Sequence, residues 1–186
     1  IPHQDLIKRY LTKRFDGLKN IYFGTAIQRS DTNSLNVLDA KNLVYRYCLF
    51  IHKISQWNGT QDVETYYAGM GEMPGNDFLV AAGSFVGGLK TIRDDHAGGF
   101  MHELGHNLGL NHGGDVLDEI NFKPNYLSVM NYAFCFSTLV PWRPLDYSRK
   151  ELPTLYEGSL DEPYGIQSSG FWQYTVWNDS KKEIVR

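Results

Sequence analysis

The sequence has little net charge, few cysteines and no long apolar run. Its formal net charge is −3 over 186 residues, so neither a nucleic-acid footprint nor a polybasic membrane patch is predicted. No apolar run approaches the length of a bilayer span, and residues 1–5 hold no signal-peptide core. A signal or pro-segment could have preceded this numbering.

The two cysteines, Cys48 and Cys135, leave the redox compartment open. They could form a disulfide in a secreted protein. Cysteine is also a common small core residue, and we favour two buried thiols.

The length suits one ordinary domain with its own core, and no internal repeat is visible. Apolar periodicity, β-branched residues and glycine or proline clusters predict helices, strands and loops along the chain. The predicted order is helix 5–15, strand 20–27, loop or turn 33–41, strand 43–54, mostly loop 59–77, strand 78–82, helix 98–108 and a short helix near 149–152.

Residues 102–112 read HELGHNLGLNH, a pattern that predicts a metal site. On a helix, His102 and His106 lie one turn apart on the same face, so both imidazoles can reach one ion. Imidazole nitrogen is a standard zinc ligand. Glu103 projects about a quarter-turn away, where it can reach a metal-bound water rather than the metal.

The third histidine, His112, needs a break in the helix. Gly109 provides it, because glycine adopts positive φ freely and ends helices. Three histidines with one position left for water are typical of a catalytic zinc site rather than a structural one.

A second signal, Ser128-Val129-Met130-Asn131-Tyr132, follows the histidines. The long histidine motif followed by a methionine turn resembles the zinc peptidases of the metzincin clan, in secreted or cell-surface bacterial form. The resemblance extends from about residue 44 to 166 and is firmest over 98–132. Gly113, directly after the motif, departs from the metzincin patterns we considered and leaves the subfamily unassigned.

The resemblance implies an α+β fold over residues 1–186 as one catalytic domain. An upper α/β subdomain of about 1–109 would hold a mixed sheet and the active-site helix. A less regular lower subdomain would cover about 110–186, with the zinc cleft between the two. Secretion or display at the cell surface is also implied, with a protein or peptide substrate, and with a pro-segment or further domains outside this chain.

The resemblance also assigns roles to two residues after the histidines. Met130 would form an apolar floor under the imidazoles without ligating the metal. Tyr132 would approach the zinc or stabilise the oxyanion; the competing interpretation is a tyrosine beside the turn with its hydroxyl in solvent.

Other residues carry weaker signals. His96 is a candidate metal ligand or substrate contact, although a capping or loop role is favoured. The segment with Phe134, Phe136 and Trp142 would form a pocket wall or part of the core. Calcium is a second candidate ion, but surface charge is the favoured interpretation of the acidic residues Asp94, Asp95, Asp115, Asp118 and Glu119.

The sequence therefore predicts a zinc endopeptidase in which Glu103 acts as general base. The alternative is a zinc-bearing module of a larger surface protein that binds peptides without cutting them. Two other zinc hydrolase classes fit less well. A gluzincin would need a later glutamate ligand, and a deformylase would need a cysteine motif that Cys48 lacks.

Overall fold

The computed structural model describes residues 15–81, 83, 89–136, 145–149, 152, 154–159, 176–178 and 183–185. The chain divides into two compact units, residues 1–110 and residues 111–186. Helices occur together with a small mixed sheet, which confirms the predicted α+β class. None of the helices in the described ranges is long and apolar enough to cross a membrane.

The first unit carries most of the regular structure. Helix α1 covers residues 15–22 of the described chain. The elements that follow are α2 (Ala26–Ser30), α3 (Ser34–Asn42), β1 (Tyr47–Ile51), β2 (Ser55–Trp57), β3 (Asp62–Glu64), β4 (Gly69–Gly71), β5 (Asp77–Ala81) and α4 (Leu89–Asn107).

The second unit is less regular in its described part. Its elements are the short helix α5 (Tyr132–Cys135), a 3₁₀ turn (Glu157–Ser159), and the antiparallel strands β6 (Val176–Asn178) and β7 (Glu183–Val185).

The central sheet has three strands in the order β1-β5-β4. β1 runs parallel to β5, and β4 runs antiparallel to it. All five residues of β5 are buried, as expected for an apolar central strand. β4 has a single neighbour among the described strands and so lies at an edge.

The two faces of the sheet pack against different partners. On one face, Phe78 of β5 meets Phe100 of α4, with ring centroids 5.3 Å apart. On the other face, Leu79 belongs to a buried cluster that also contains Phe15 and Ile54. Helix α4 therefore crosses one face of the sheet, and its position relative to β4 and β5 is fixed by packing.

Two predictions for the start of the chain are wrong. The strand predicted at 20–27 is replaced by the end of α1 and the start of α2, where Thr25 and Gln28 form a capping box. The loop predicted at 33–41 is helix α3 (Ser34–Asn42). Neither α2 nor α3 buries a residue, so the sequence had no apolar stripe to reveal them.

The middle of the chain agrees better with the predictions. The strand predicted at 43–54 is confirmed but shorter, at Tyr47–Ile51, and the strand at 78–82 corresponds to β5. The segment 59–77 is mostly loop, with the short strands β3 and β4 inside it. The predicted helix 5–15 lies almost wholly outside the described residues, and residues 149 and 152 are not helical.

The helix predicted at 98–108 is longer than predicted. It begins at Leu89 instead of Gly98, so Gly98 and Gly99 lie inside it and are buried. The pair of glycines resembles a helix start in sequence, but here it gives small residues where the helix is buried. Cys48 and Cys135 are both thiols, as favoured from the sequence; Cys135 is buried as expected, whereas Cys48 is only partly buried.

Candidate metal centre

Helix α4 brings the first two predicted ligands together on one side of the helix. His102 and His106 lie one turn apart, and their Nε2 atoms are 3.2 Å from each other. The two rings are almost perpendicular, with centroids 4.8 Å apart. This arrangement follows directly from the i, i+4 spacing on one helical face.

The protonation of His106 can be inferred from its neighbour. Its Nδ1 lies 2.9 Å from the carbonyl oxygen of Leu110, which can only accept a hydrogen bond. The proton of the neutral ring therefore sits on Nδ1 and donates to Leu110. Nε2 is left with a bare lone pair directed toward His102, which is the tautomer that a metal ligand needs.

The turn after α4 serves both ligands. Gly109 has φ of +91°, and its N–H donates to the carbonyl of His106 at 2.9 Å. The N–H of Leu110 donates to the carbonyl of Gly105, also at 2.9 Å. This pattern ends the helix. It also places the Leu110 carbonyl against His106 and leads the chain to His112.

Gly109→Ala is expected to destabilise the fold by about 1–2 kcal/mol, because a side chain is disfavoured at this positive φ. Space is not the cause, since the nearest atom to an added Cβ is 3.9 Å away. Urea unfolding measures the effect. Gly17→Ala is the matched control and is expected to stabilise helix α1 by up to about 1 kcal/mol. Equal effects at the two sites would contradict the assignment.

The three histidines form a cluster that could hold a metal ion. The candidate ligand nitrogens of His102, His106 and His112 all lie within 4.8 Å of one another. In the described ranges of the chain, no other group of three or more potential ligand side chains comes together in this way. Burial has the largest effect on the pKa of His112 and lowers it, whereas the Glu119 carboxylate acts in the opposite direction. The neutral form that binds metals is therefore favoured.

Glu103 directly follows His102 on α4, and it is shielded from solvent. Glu103 is only 6% exposed, and this burial raises the pKa of its carboxyl to about 8. The carboxyl group packs against Gly69 and Gly71 of β4, the two glycines of that strand. Neither glycine is predicted from the sequence to belong to the site, although alternate glycines in a strand do signal a close approach by another group.

Residues 128–131, which include Met130, form a turn in the second unit. The N–H of Asn131 donates to the carbonyl of Ser128 at 3.0 Å, and the Ser128 hydroxyl accepts from the Met130 N–H at 3.2 Å. Met130 and Asn131 are completely buried. The Asn131 side chain donates to the carbonyls of Lys123 and Tyr126, which ties the turn to the preceding loop.

Tyr132 follows this turn and lies beside a predicted ligand. Its ring centroid is 4.6 Å from that of His112, and the residue is 43% exposed. Asn121 accepts from the Tyr132 N–H at 2.9 Å, and the Phe122 ring lies 6.0 Å away edge-on. Phe122 has φ of +59°, an uncommon value for a bulky residue. No sequence signal marks these two supporting residues.

The remaining candidates from the sequence are His96 and the aromatic residues after the methionine turn. The capping or loop role favoured for His96 is wrong, because His96 lies within α4 and its ring contacts that of Phe50 at 5.9 Å. Phe134 is buried and Phe136 is partly buried, while Trp142 lies outside the described residues.

The acidic residues after His112 have structural partners. Asp118 forms an ion pair with Lys123, and this hydrogen bond lowers the pKa of its carboxyl. Asp115 and Asp118 each accept a backbone N–H two residues ahead, as turn residues do. These contacts fit the favoured interpretation of Asp115 and Asp118 as surface charge.

One further asparagine, Asn107, connects the helix to the sheet. Its side-chain amide donates to the carbonyls of Glu72 and Asp77 at 2.9 and 3.0 Å. Glu72 and Asp77 are themselves fully buried, and Lys19 donates to Asp77 at 2.6 Å. Asn107 directly follows His106, so these bonds fix the end of α4 against the segment joining β4 and β5.

Comparisons with protein-family models, with curated proteins and with solved structures find no match for this chain. The functional interpretation therefore depends on the residues and distances given above.

Proposed function

We propose that the protein is a zinc-dependent endopeptidase of the metzincin type. The observation that carries this proposal is the convergence of the His102, His106 and His112 nitrogens within 4.8 Å, and Glu103 directly follows His102 in the chain. Secretion or cell-surface display, a pro-segment and further domains are predictions of the resemblance alone.

The donor set suits zinc. Tetrahedral zinc with nitrogen ligands at about 2.0–2.1 Å requires those nitrogens to be roughly 3.3 Å apart. The His102 and His106 nitrogens already lie 3.2 Å apart, and none of the three is farther than 4.8 Å from another. Only a modest contraction is needed, and the Leu110 carbonyl already holds His106 in the ligating tautomer.

Bound zinc would supply an activated water and polarise the scissile carbonyl. Glu103 would accept a proton of the attacking water at a carboxylate oxygen and pass it to the leaving amine. A raised pKa suits this task, since a general base works best near the operating pH, and a nearby cation favours the carboxylate form. The Tyr132 hydroxyl is the candidate donor to the developing oxyanion.

A peptide substrate fits the sheet beside Glu103. β4 lies at an edge in the described sheet, and an extended peptide can add to such an edge through backbone hydrogen bonds. The inward face of β4 contacts Glu103, so a peptide on this edge would lie close to the proposed base.

The second candidate is a non-catalytic zinc-bearing module that binds peptides. The burial of the Glu103 carboxyl favours it, because a shielded carboxyl must gain access to water before it can act as a base. The two candidates share the metal site and differ in turnover.

Chelation tests the proposal. Hydrolysis of a fluorogenic peptide library by the purified protein is expected to stop after removal of metal and to return with stoichiometric Zn²⁺. Calcium alone should not restore it. Full turnover by protein that elemental analysis shows to be free of zinc and of transition metals would refute the zinc mechanism. Peptide binding without any turnover would establish the non-catalytic module.

A further inference from the structure

We propose that Gly69 and Gly71 of strand β4 are positioning residues for Glu103. Their bare backbone forms the surface on which the Glu103 carboxyl rests, and this surface sets where the carboxyl can point. The catalytic consequence of this inference rests on the proposed peptidase function. The packing of Glu103 against the two glycines is independent of that function.

The space at Gly69 is already filled by Glu103. A Cβ added to Gly69 would lie 2.7 Å from Cγ and 2.8 Å from Cδ of Glu103, and closer still to Oε1. Contacts this short cannot be kept, so one of the groups must move. Gly69 has no positive φ, so the requirement for glycine here is one of space and not of backbone conformation.

Gly71 meets a different part of the same residue. A Cβ there would lie 2.8 Å from the backbone oxygen of Glu103, 3.2 Å from Oε2 and 3.3 Å from Cβ of His106. Gly69 thus meets a movable side chain, whereas Gly71 meets the backbone of α4. The two glycines have different expected consequences when they are replaced.

Strand β4 cannot easily retreat from the helix. Met70, between the two glycines, points to the other face and packs against the buried cluster there. The pairing with β5 fixes the register, with Gly69 opposite Val80 and Gly71 opposite Phe78. The Asn107 hydrogen bonds hold the segment after β4 to the end of α4. Relief of a clash at Gly69 therefore falls on the Glu103 carboxyl.

A role in positioning predicts a specific kinetic change for Gly69→Ala. Displacing a catalytic group by about 1 Å can cost roughly 100-fold in rate. We expect kcat to fall about 10- to 100-fold with KM nearly unchanged and with zinc still bound stoichiometrically. Gly71→Ala is expected to lower the unfolding midpoint more than Gly69→Ala, because it pushes on the helix backbone.

Gly158→Ala is the control, since an added Cβ at that glycine meets nothing within 4 Å. Its kcat, KM and unfolding midpoint should match those of the parent protein. An unchanged kcat in Gly69→Ala, or a change in KM alone, would overturn the positioning role and indicate a contact with substrate instead.

A double-mutant cycle tests the packing without any assay of activity. Glu103→Ala removes the group that the new methyl would meet, so Gly69→Ala should cost much less in unfolding midpoint in that background than in the parent. Equal costs in the two backgrounds would overturn the inference. If the parent protein hydrolyses no peptide, the proposed function fails, while the cycle still decides whether Glu103 rests on Gly69.

Discussion

Glu103→Gln protein is expected to bind zinc like the parent and to lose nearly all peptide hydrolysis. Glutamine keeps the volume and a hydrogen-bonding oxygen but cannot accept and return the proton. General acid–base groups contribute about 10²- to 10⁴-fold to rates, so kcat should fall by that amount. The measurement is kcat on a fluorogenic peptide at saturating substrate, with zinc content determined on the same sample.

The burial of Glu103 makes this variant informative, because the substitution also removes a carboxyl that the fold disfavours in its charged form. The variant is therefore expected to fold at least as well as the parent, and urea unfolding of the same sample separates a loss of activity from a loss of fold. Glu64→Gln, at an exposed carboxylate paired with Lys53, is the control and should keep full activity. Normal turnover by the Glu103→Gln protein would refute the assignment of the base.

The part of the site that sequence could predict is the part set by local geometry. The close approach of His102 and His106 requires only a helix. The change of chain direction after that helix requires only a glycine at positive φ. Both follow from residues close together in the chain. The hydrogen bond from His106 to Leu110 is equally local, yet it depends on a backbone carbonyl that no residue pattern reveals.

The part that sequence could not predict depends on contacts between distant segments. The packing of Gly69 and Gly71 on Glu103 exists only because β4 pairs with β5 and α4 crosses that sheet. The amide of Asn107 is held by carbonyls more than two dozen residues earlier in the chain. Such contacts are products of tertiary packing, and a single sequence carries no direct signal for them.

The errors in the fold have a similar physical origin. An apolar stripe is the main sequence signal of a helix, and α3 has none because no residue in it is buried. Helix α2 begins with the capping box of Thr25 and Gln28, a local signal that stands among apolar neighbours typical of a strand. β5 was easier to predict, since five consecutive buried positions produce an apolar run.

His102→Ala is expected to abolish stable zinc binding, and with it hydrolysis, while His96→Ala leaves both intact. Both residues lie on α4, but only His102 belongs to the three-histidine cluster, whereas His96 contacts the ring of Phe50. Loss of a group that merely supports a ligand costs about 10- to 100-fold in metal affinity, so loss of a ligand should cost more than about 100-fold.

Competition with a chromogenic zinc chelator measures the affinity of each variant, and circular dichroism shows whether each retains its helices. His112→Ala should behave like His102→Ala, because the third ligand completes the set although it lies beyond the end of the helix. If His112→Ala kept the parent affinity, the ion would be held by the helix pair alone. A two-histidine site would leave the turn at Gly109 without a role in metal binding, and the comparison of the three variants therefore decides whether this turn builds the site.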